Sequence, residues 1–332
     1  MEDYRKLLAI SSLMIVLLLS PPIPGASSQF KATSASSDTG SGVYAVITRP
    51  DSSTWDQSTL SLLTSKGMNE IYDFPTGSCE CVFAIDSSGN YIVAEVYGNA
   101  LTKVTPGGVR TVIYKFPDGT KPADVKIDSS GDYIVTEMNT SKLSKITPGG
   151  VRMEIANITA PNAVAIDSFG NYIVTQTIWP SLNVLAKVTP DGNVSTIYNL
   201  PYRSWPGWVE IDSSGNYIVT THDGNALWRV TPDGAATKIF SFDYGTYPYS
   251  AVIDSNGNYI VSEYEAQVLS QITPAGVRTE LYHFSDWPSE VRVISTGDLT
   301  PIPEYPGGMV MILTALAVST ALLFTRMKKP AG

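Results

Sequence analysis

The chain has 332 residues, which admits one large domain or two ordinary ones. Hydrophobic residues make up 43%, an ordinary share for a globular protein, and 26 Gly with 22 Pro imply many turns. The formal net charge of -9 argues against a nucleic-acid partner, because no surplus of Lys or Arg exists to displace phosphate counterions.

At the start of the chain, Arg5 and Lys6 precede an uncharged run, Leu7–Leu19, and small residues follow around Ala26–Ser28. A basic start, a short apolar core and small residues predict a secretory signal peptide over residues 1–28. The run is short for a bilayer-spanning anchor. Residues 29–42 are rich in Ser and Thr and read as a flexible tether.

The body is a repeat. "IDSSGNYIV" occurs twice, with near-copies at Ile127, Ile166 and Ile253. The shared tyrosines are Tyr91, Tyr133, Tyr172, Tyr217 and Tyr259, at intervals of 42, 39, 45 and 42 residues. Tyr44 in "VYAVIT" opens the series 47 residues earlier. A period near 40–45 residues holding several short strands predicts propeller blades. Each unit resolves into four strands, typified by "VKID", "YIVTE", "LSKITP" and "RTVIYKF", the second alternating as a half-buried strand would. Asp-Ser-Ser-Gly-Asn is then the turn between the first two strands, its Asp bonding turn amides and its Gly supplying positive φ. A calcium loop is disfavoured, since each copy holds too few oxygens. The chain enters at Val43 with only three strands of a unit, and the missing first strand appears at Glu290–Asp298, "EVRVISTGD". Three N-terminal strands plus one C-terminal strand predict an all-β, six-bladed propeller over residues 43–298, with no edge left open.

Residues 299–308 form a second tether. Met309–Thr325 is uncharged and Arg326, Lys328 and Lys329 follow it, which predicts a C-terminal transmembrane helix and a cytoplasmic basic tail over 326–332. Pro303-Glu304-Tyr305-Pro306 before that run resembles archaeal and bacterial sorting tails of the Pro-Glu-Phe or Pro-Glu-Pro kind, from which Tyr305 departs. The expected location is the outer surface of the plasma membrane. Sequons begin at Asn139, Asn157 and Asn193, candidate glycosylation sites on an exported surface.

Units such as "GNYIVTTHDGNALWRVTPDG" resemble NHL-type repeats and the blades of the virginiamycin B lyase and gluconolactonase families. The resemblance covers about three-quarters of the chain and implies the fold more than any activity.

In such a ring the turns "DSSGN", "TPGG" and "TPDG" share one face and are uniform. The connections on the other face vary, as in "RPDSSTWDQ", "QTIWPSLN", "PYRSWPGW" and "DYGTYPYS". Trp55, Trp179, Trp205, Trp208 and Trp287 lie in or beside these connections, with Arg203, Tyr247 and Tyr249; Trp228 lies in a strand. Aromatic, variable loops on a rigid scaffold suit ligand binding. Packing of the channel mouth is the alternative.

The fifth residue before each repeat Asp is expected to surround the axis: Cys81, Ala123, Asn162, Gly207, Tyr249 and Ser289. The gluconolactonase resemblance implies divalent-metal ligands in this column, but only Asn162 matches. One amide oxygen cannot hold Ca or Mg without carboxylates, so Asp124 and Glu290 of the adjacent column would have to turn inward. No other cofactor is expected. His222 and Asp223 are candidate acid–base residues with no secure partner. Glu95, Glu137 and Glu263 follow "YIVT" or its variants and are expected to bond the neighbouring blade's backbone. Cys79 and Cys81 are the only cysteines, and their one-residue spacing leaves a strained bridge and free thiols both open.

Together these readings predict an exported, membrane-anchored module that binds a glycan, peptide or cell-envelope component on its variable face. The alternatives are an extracellular lactonase- or streptogramin-lyase-like enzyme using the axial site, and a purely structural envelope protein.

Overall fold

The structure, a computed structural model, describes residues 43–49, 58–78 and 81–295. The expected signal peptide, both tethers, the transmembrane helix and the basic tail lie outside them. Among the described residues no helix is long and apolar enough to cross a membrane.

Twenty-four strands form six four-stranded antiparallel sheets among the described residues. Blade 1 consists of β1 (Val43–Arg49), β2 (Thr59–Thr64) and β3 (Gly67–Asp73), with β24 (Trp287–Ser295) added inside β1. Blade 2 runs outward through β4 (Cys81–Ile85), β5 (Tyr91–Glu95), β6 (Ala100–Val104) and β7 (Arg110–Lys115). Blade 3 comprises β8 (Pro122–Ile127), β9 (Tyr133–Glu137), β10 (Lys142–Ile146) and β11 (Arg152–Asn157). Blade 4 comprises β12 (Pro161–Ile166), β13 (Tyr172–Ile178), β14 (Leu182–Val188) and β15 (Val194–Asn199). Blade 5 comprises β16 (Pro206–Ile211), β17 (Tyr217–Thr221), β18 (Ala226–Val230) and β19 (Ala236–Ser241). Blade 6 comprises β20 (Pro248–Ile253), β21 (Tyr259–Glu263), β22 (Val268–Ile272) and β23 (Arg278–His283).

The ring closes as the spacing predicts, with Tyr44 opposite Val293 and Arg49 opposite Trp287; β24 begins three residues earlier than expected. The second strand of each blade departs from the half-buried expectation. β5, β9, β17 and β21 are buried at every residue, because each sheet is covered on both faces by its neighbours. The core is therefore the set of blade-to-blade interfaces.

The repeated turn behaves as predicted. Asp86 Oδ1 accepts the Ser88 and Asn90 N–H groups at 2.8 and 2.9 Å, and Asp128, Asp167, Asp212 and Asp254 do the same in their blades. The second turn also joins blades. Gly150 has φ +81, and a Cβ there would stand 2.6 Å from the Ile113 carbonyl oxygen of blade 2. The equivalent Cβ at Gly131, φ +83, would meet nothing.

The recurrent glutamates overturn the expectation that they bond a neighbouring blade. Glu95 Oε1 and Oε2 accept Arg110 Nε and Nη2 at 2.7 and 2.8 Å, and Arg278 forks onto Glu263 at the same distances. Arg152 Nε reaches Glu137 Oε1 at 2.7 Å. Each carboxylate is buried and each arginine opens the outer strand of the same blade, so the pair clamps strand two to strand four. Where blade 5 has Thr221 in place of the Glu, Ala236 stands in place of the Arg; blade 4 has Gln176 and Val194.

Two stability predictions follow from these contacts. Gly150→Ala should destabilise the protein more than Gly131→Ala. Both incur the left-handed backbone penalty of about 1–2 kcal/mol, and only the first drives a methyl into a carbonyl; equal melting-temperature losses would refute the close approach. Arg152→Ala should cost about 3 kcal/mol by stranding buried Glu137, whereas the double change Glu137→Thr, Arg152→Ala, which copies blade 5, should regain most of it in denaturant unfolding. An additive double variant would contradict the clamp.

Candidate functional site

Side chains from blades 1, 3 and 5 meet at the axis although these blades are not neighbours. Lys126 Nζ of blade 3 lies 3.1 Å from Glu210 Oε2 of blade 5. Lys126 Nζ and Arg292 Cζ each stand 4.4 Å from the centre of the Trp208 ring, so two cations from different blades share one indole. The axis is thus lined by the column holding Asp124, Trp208 and Glu290 and by the residues two further on, Lys126, Glu210 and Arg292. This corrects the expectation that the column of Cys81, Asn162 and Tyr249 faces it. Blades 2, 4 and 6 carry Val82 and Ala84, Ala163 and Ala165, Ser250 and Val252 at the same positions. Pairs of large side chains, charged or carrying the Trp208 indole, alternate with small apolar or hydroxyl pairs at these levels.

Asn162 is not an axial ligand. Its Nδ2 donates to the Pro206 and Gly207 carbonyls of blade 5 at 3.3 Å, while its backbone carbonyl accepts from Thr136 Oγ1 at 2.7 Å. Asp124 is likewise occupied: Oδ1 accepts Val125 N–H at 2.7 Å and Oδ2 accepts Val164 N–H of blade 4 at 2.8 Å. Ser250 repeats that bridge onto Val291 at 2.9 Å. Glu290 differs. Its Oε1 lies 2.8 Å from Arg292 Nη2, an ion-pair distance, but Nη2 is aimed at the Phe83 carbonyl at 2.9 Å, and neither Glu290 oxygen makes a hydrogen bond within the described residues. Burial raises the Asp124 carboxyl, against the pull of Lys126, Arg292 and two backbone N–H groups. Burial raises Glu290 well above the usual carboxylate range, with Arg292 opposing and the Asp124 charge adding. Among the described residues no group of three or more His, Cys, Asp or Glu could hold a metal ion. Asp124 and Glu290 line the axis, but Asn162 is turned to the blade 5 carbonyls, so the three candidate ligands do not converge.

On the variable face, residues from blades 4, 5 and 6 assemble around His222. Its Nδ1 donates to Asp223 Oδ1 at 2.8 Å, an ionised carboxylate being an acceptor only, and Asp223 Oδ2 accepts Trp179 Nε1 at 2.9 Å. Tyr247 stacks on the imidazole at 4.6 Å and 11°, Tyr249 meets it edge-on at 6.1 Å, and Trp205 lies 6.0 Å away. Arg203 Cζ sits 5.1 Å over the Trp179 ring and 5.7 Å from Tyr202. His222 is 2% exposed, and its Nε2 makes no hydrogen bond within the described residues. With Nδ1 committed to Asp223, Nε2 is left as a buried ring position without a hydrogen bond among the described residues.

A repeated backbone device builds this cluster. Lys121, Ala160, Trp205 and Tyr247 each precede the proline that opens an inner strand, and each has left-handed φ, between 43 and 54. Their N–H groups are accepted by side chains of the preceding blade: Asn99 for Lys121, Asn183 for Trp205 and Asn225 for Tyr247, all at 3.0 Å. Their carbonyls accept the next strand's exit, as Trp205 does from His222 N–H at 2.9 Å. Bulky residues pay strain in that conformation. Trp205 is buried, so it shapes the box rather than offering an open platform.

The remaining sequence candidates divide. Trp208 belongs to the axis inside β16, and Trp287 opens β24 opposite Arg49. Trp55 and Cys79 lie outside the described residues, and Cys81 is disulfide-bonded. Asn139, Asn157 and Asn193 are exposed. Sequence reading missed Lys126, Glu210 and Arg292; comparing the residues two before each repeat Asp would have found charges in alternate blades.

No protein-family model matches the chain, and no curated protein is significantly similar to it. The fold is shared with a catalytically inactive variant of virginiamycin B lyase from Staphylococcus aureus with Quinupristin, at 22% identity over 62% of this chain and 70% of that one, TM-score 0.53. A putative gluconolactonase matches at 16% identity over 60% and 76%, TM-score 0.51. The Nidogen/Laminin complex contains a chain matched over its whole length and 78% of this one, at 12% identity and TM-score 0.64. At these identities the likeness establishes the fold alone.

The axial carboxyls carry a pH prediction. A carboxyl raised by folding binds its proton more tightly in the folded state, so its stabilisation is complete at low pH and is lost as pH rises through the raised value. The melting temperature of the wild type should therefore fall more than that of Glu290→Gln between about pH 5 and about pH 8. Parallel curves would show that Glu290 is not held protonated.

Proposed function

We propose that this chain is an exported, membrane-anchored recognition module, binding a glycan, peptide or cell-envelope component on the variable face of blades 4–6. The observation that carries the reading is the gathering of Trp179, Arg203, Trp205, His222 and Tyr247 from three blades onto one face, around an imidazole nitrogen without a hydrogen bond. A ligand that lays a flat face along Trp179 beside the exposed Arg203 and Tyr202 would use the open part of this cluster, with buried His222 holding Asp223, and through it Trp179, in place. The mutual pairing of Lys126, Glu210, Arg292 and Trp208 at the axis supports a site on the face rather than in the channel. The Nidogen/Laminin likeness supports the use of such a fold for protein–protein contact. The Leu7–Leu19 and Met309–Thr325 runs support export and anchoring.

A second reading has one specific observation in its favour. An imidazole held by a carboxylate, with its second nitrogen unpaired, is the arrangement of a general base. It fits a lyase- or lactonase-like enzyme working at the face, with Tyr247 and Trp205 shaping the pocket. A divalent cation would then have to come with carboxylates that His222 and Asp223 do not supply.

Glycan and envelope-peptide arrays probed with the wild type should give specific binding that His222→Ala and Trp179→Ala reduce at least tenfold, about 1.4 kcal/mol, while Trp228→Ala leaves it unchanged. Blank arrays combined with turnover of a streptogramin B or a lactone, lost in His222→Ala, would replace the first reading with the second.

A further inference from the structure

We propose that the face carrying the uniform turns lies on the lipid bilayer, so that the His222 face points away from the membrane. The inference rests on the anchored reading above and adds which surface meets the lipid.

The first support is where the chain leaves the fold. Val43 pairs with Ser295, so β1 begins and β24 ends on the uniform-turn face. β24 is an inner strand, and its end lies near the axis. Residues 296–308, thirteen in number, separate it from the apolar run at Met309. Fully extended they reach about 45 Å. To bring the variable face to the lipid they would have to cross four strands, about 15–20 Å, and then climb the blade, about 20 Å. That route consumes nearly the whole tether, whereas the uniform-turn face can meet the bilayer with most of it slack. The tether alone does not press that face down; its surface does.

The second support is the distribution of exposed apolar side chains. Of the eleven large ones among the described residues, only Ile178, Tyr202 and Tyr244 are on the variable face. The others occupy the uniform turns, the outer strands that start from them or the end of β24. Phe169 is 85% exposed at a turn tip where the other copies have Ser, Asn or Thr. Val109, Val151 and Val277, each above 60% exposed, crown the second turn of blades 2, 3 and 6. Ile294 replaces the repeat Asp beside the chain exit and is 40% exposed. These are interfacial residues of moderate size, suited to the headgroup region rather than the hydrocarbon. The turn aspartates are directed at their own turn amides, and Asp128 also pairs with Lys145 at 2.7 Å, so they oppose docking less than their number implies. Asp191 and Asp233 remain exposed, which favours zwitterionic over anionic lipid.

The test uses the full chain in phosphatidylcholine vesicles, with a nitroxide on Phe169→Cys or on Tyr244→Cys. Both sites are exposed turn positions, and no free cysteine competes among the described residues. The label at 169 should collide with oxygen several-fold more than with a water-soluble nickel chelate, and the label at 244 should show the reverse. A label at 169 as open to nickel as that at 244, on protein that floats with the vesicles, would overturn the docking and leave the anchor standing. Protein that does not float would overturn both. A glycan found on Asn193, which sits on the same face, would also overturn it.

Discussion

The pairing of β24 with β1 is the contact on which everything else depends. Without it the ring would have a gap between blades 1 and 6 and an open sheet edge. The same strand carries Glu290 and Arg292 into the axis. Closure and the central charge cluster are therefore supplied together, by nine residues far in sequence from the blade they complete. The entropy cost of bringing these ends together grows only slowly with the length between them, and the interfaces buried all around the ring offset it.

Six equal blades around an axis cannot each send a long charged side chain inward at the same height. The chain resolves the crowding by alternation, with Glu290 and Arg292, Asp124 and Lys126, Trp208 and Glu210 from every second blade and small residues between. A near-sixfold backbone thus acquires a threefold interior. Lys126 pairs with Glu210 across the axis, Arg292 stands at ion-pair distance from Glu290 of its own strand, and Trp208 provides both cations with a π face. Burial still exceeds compensation at Glu290, which is why its carboxyl favours the proton. The cluster ties blades 1, 3 and 5 together at the hub.

There the repeat is broken deliberately at equivalent positions. In blades 3 to 6 the residue before the proline that opens the inner strand is Lys121, Ala160, Trp205 or Tyr247, all in one strained conformation held by a side chain of the preceding blade. The backbone is the same in these four blades while the side chains differ, so blades 5 and 6 wall in His222 and blade 4 adds Trp179 and Arg203. Rigid placement of an imidazole by Asp223, itself held by Trp179, is useful equally to a binding site and to a base. Only the partner of Nε2 distinguishes the two.

The blade count, the four strands per blade, the Asp-Gly turn and the closure were all legible in the sequence, because each depends on local chemistry repeated at a fixed period. Internal comparison also exposes the Glu–Arg clamp once both ends are viewed together: where Glu137 has a counterpart so does Arg152, and where Thr221 replaces it Ala236 does too. What periodicity could not give is which of two adjacent columns faces the axis, since a single-residue shift exchanges the faces of a strand. Asp124 and Glu290 were therefore placed off the axis that they line, and Asn162 was placed on it although its amide bonds the Pro206 and Gly207 carbonyls of the next blade. Nor could it place Trp179 beside Asp223, because residues in different blades meet only through the curvature of the ring. Sequence determined the repeating unit, and tertiary structure decided what the units put together where they meet.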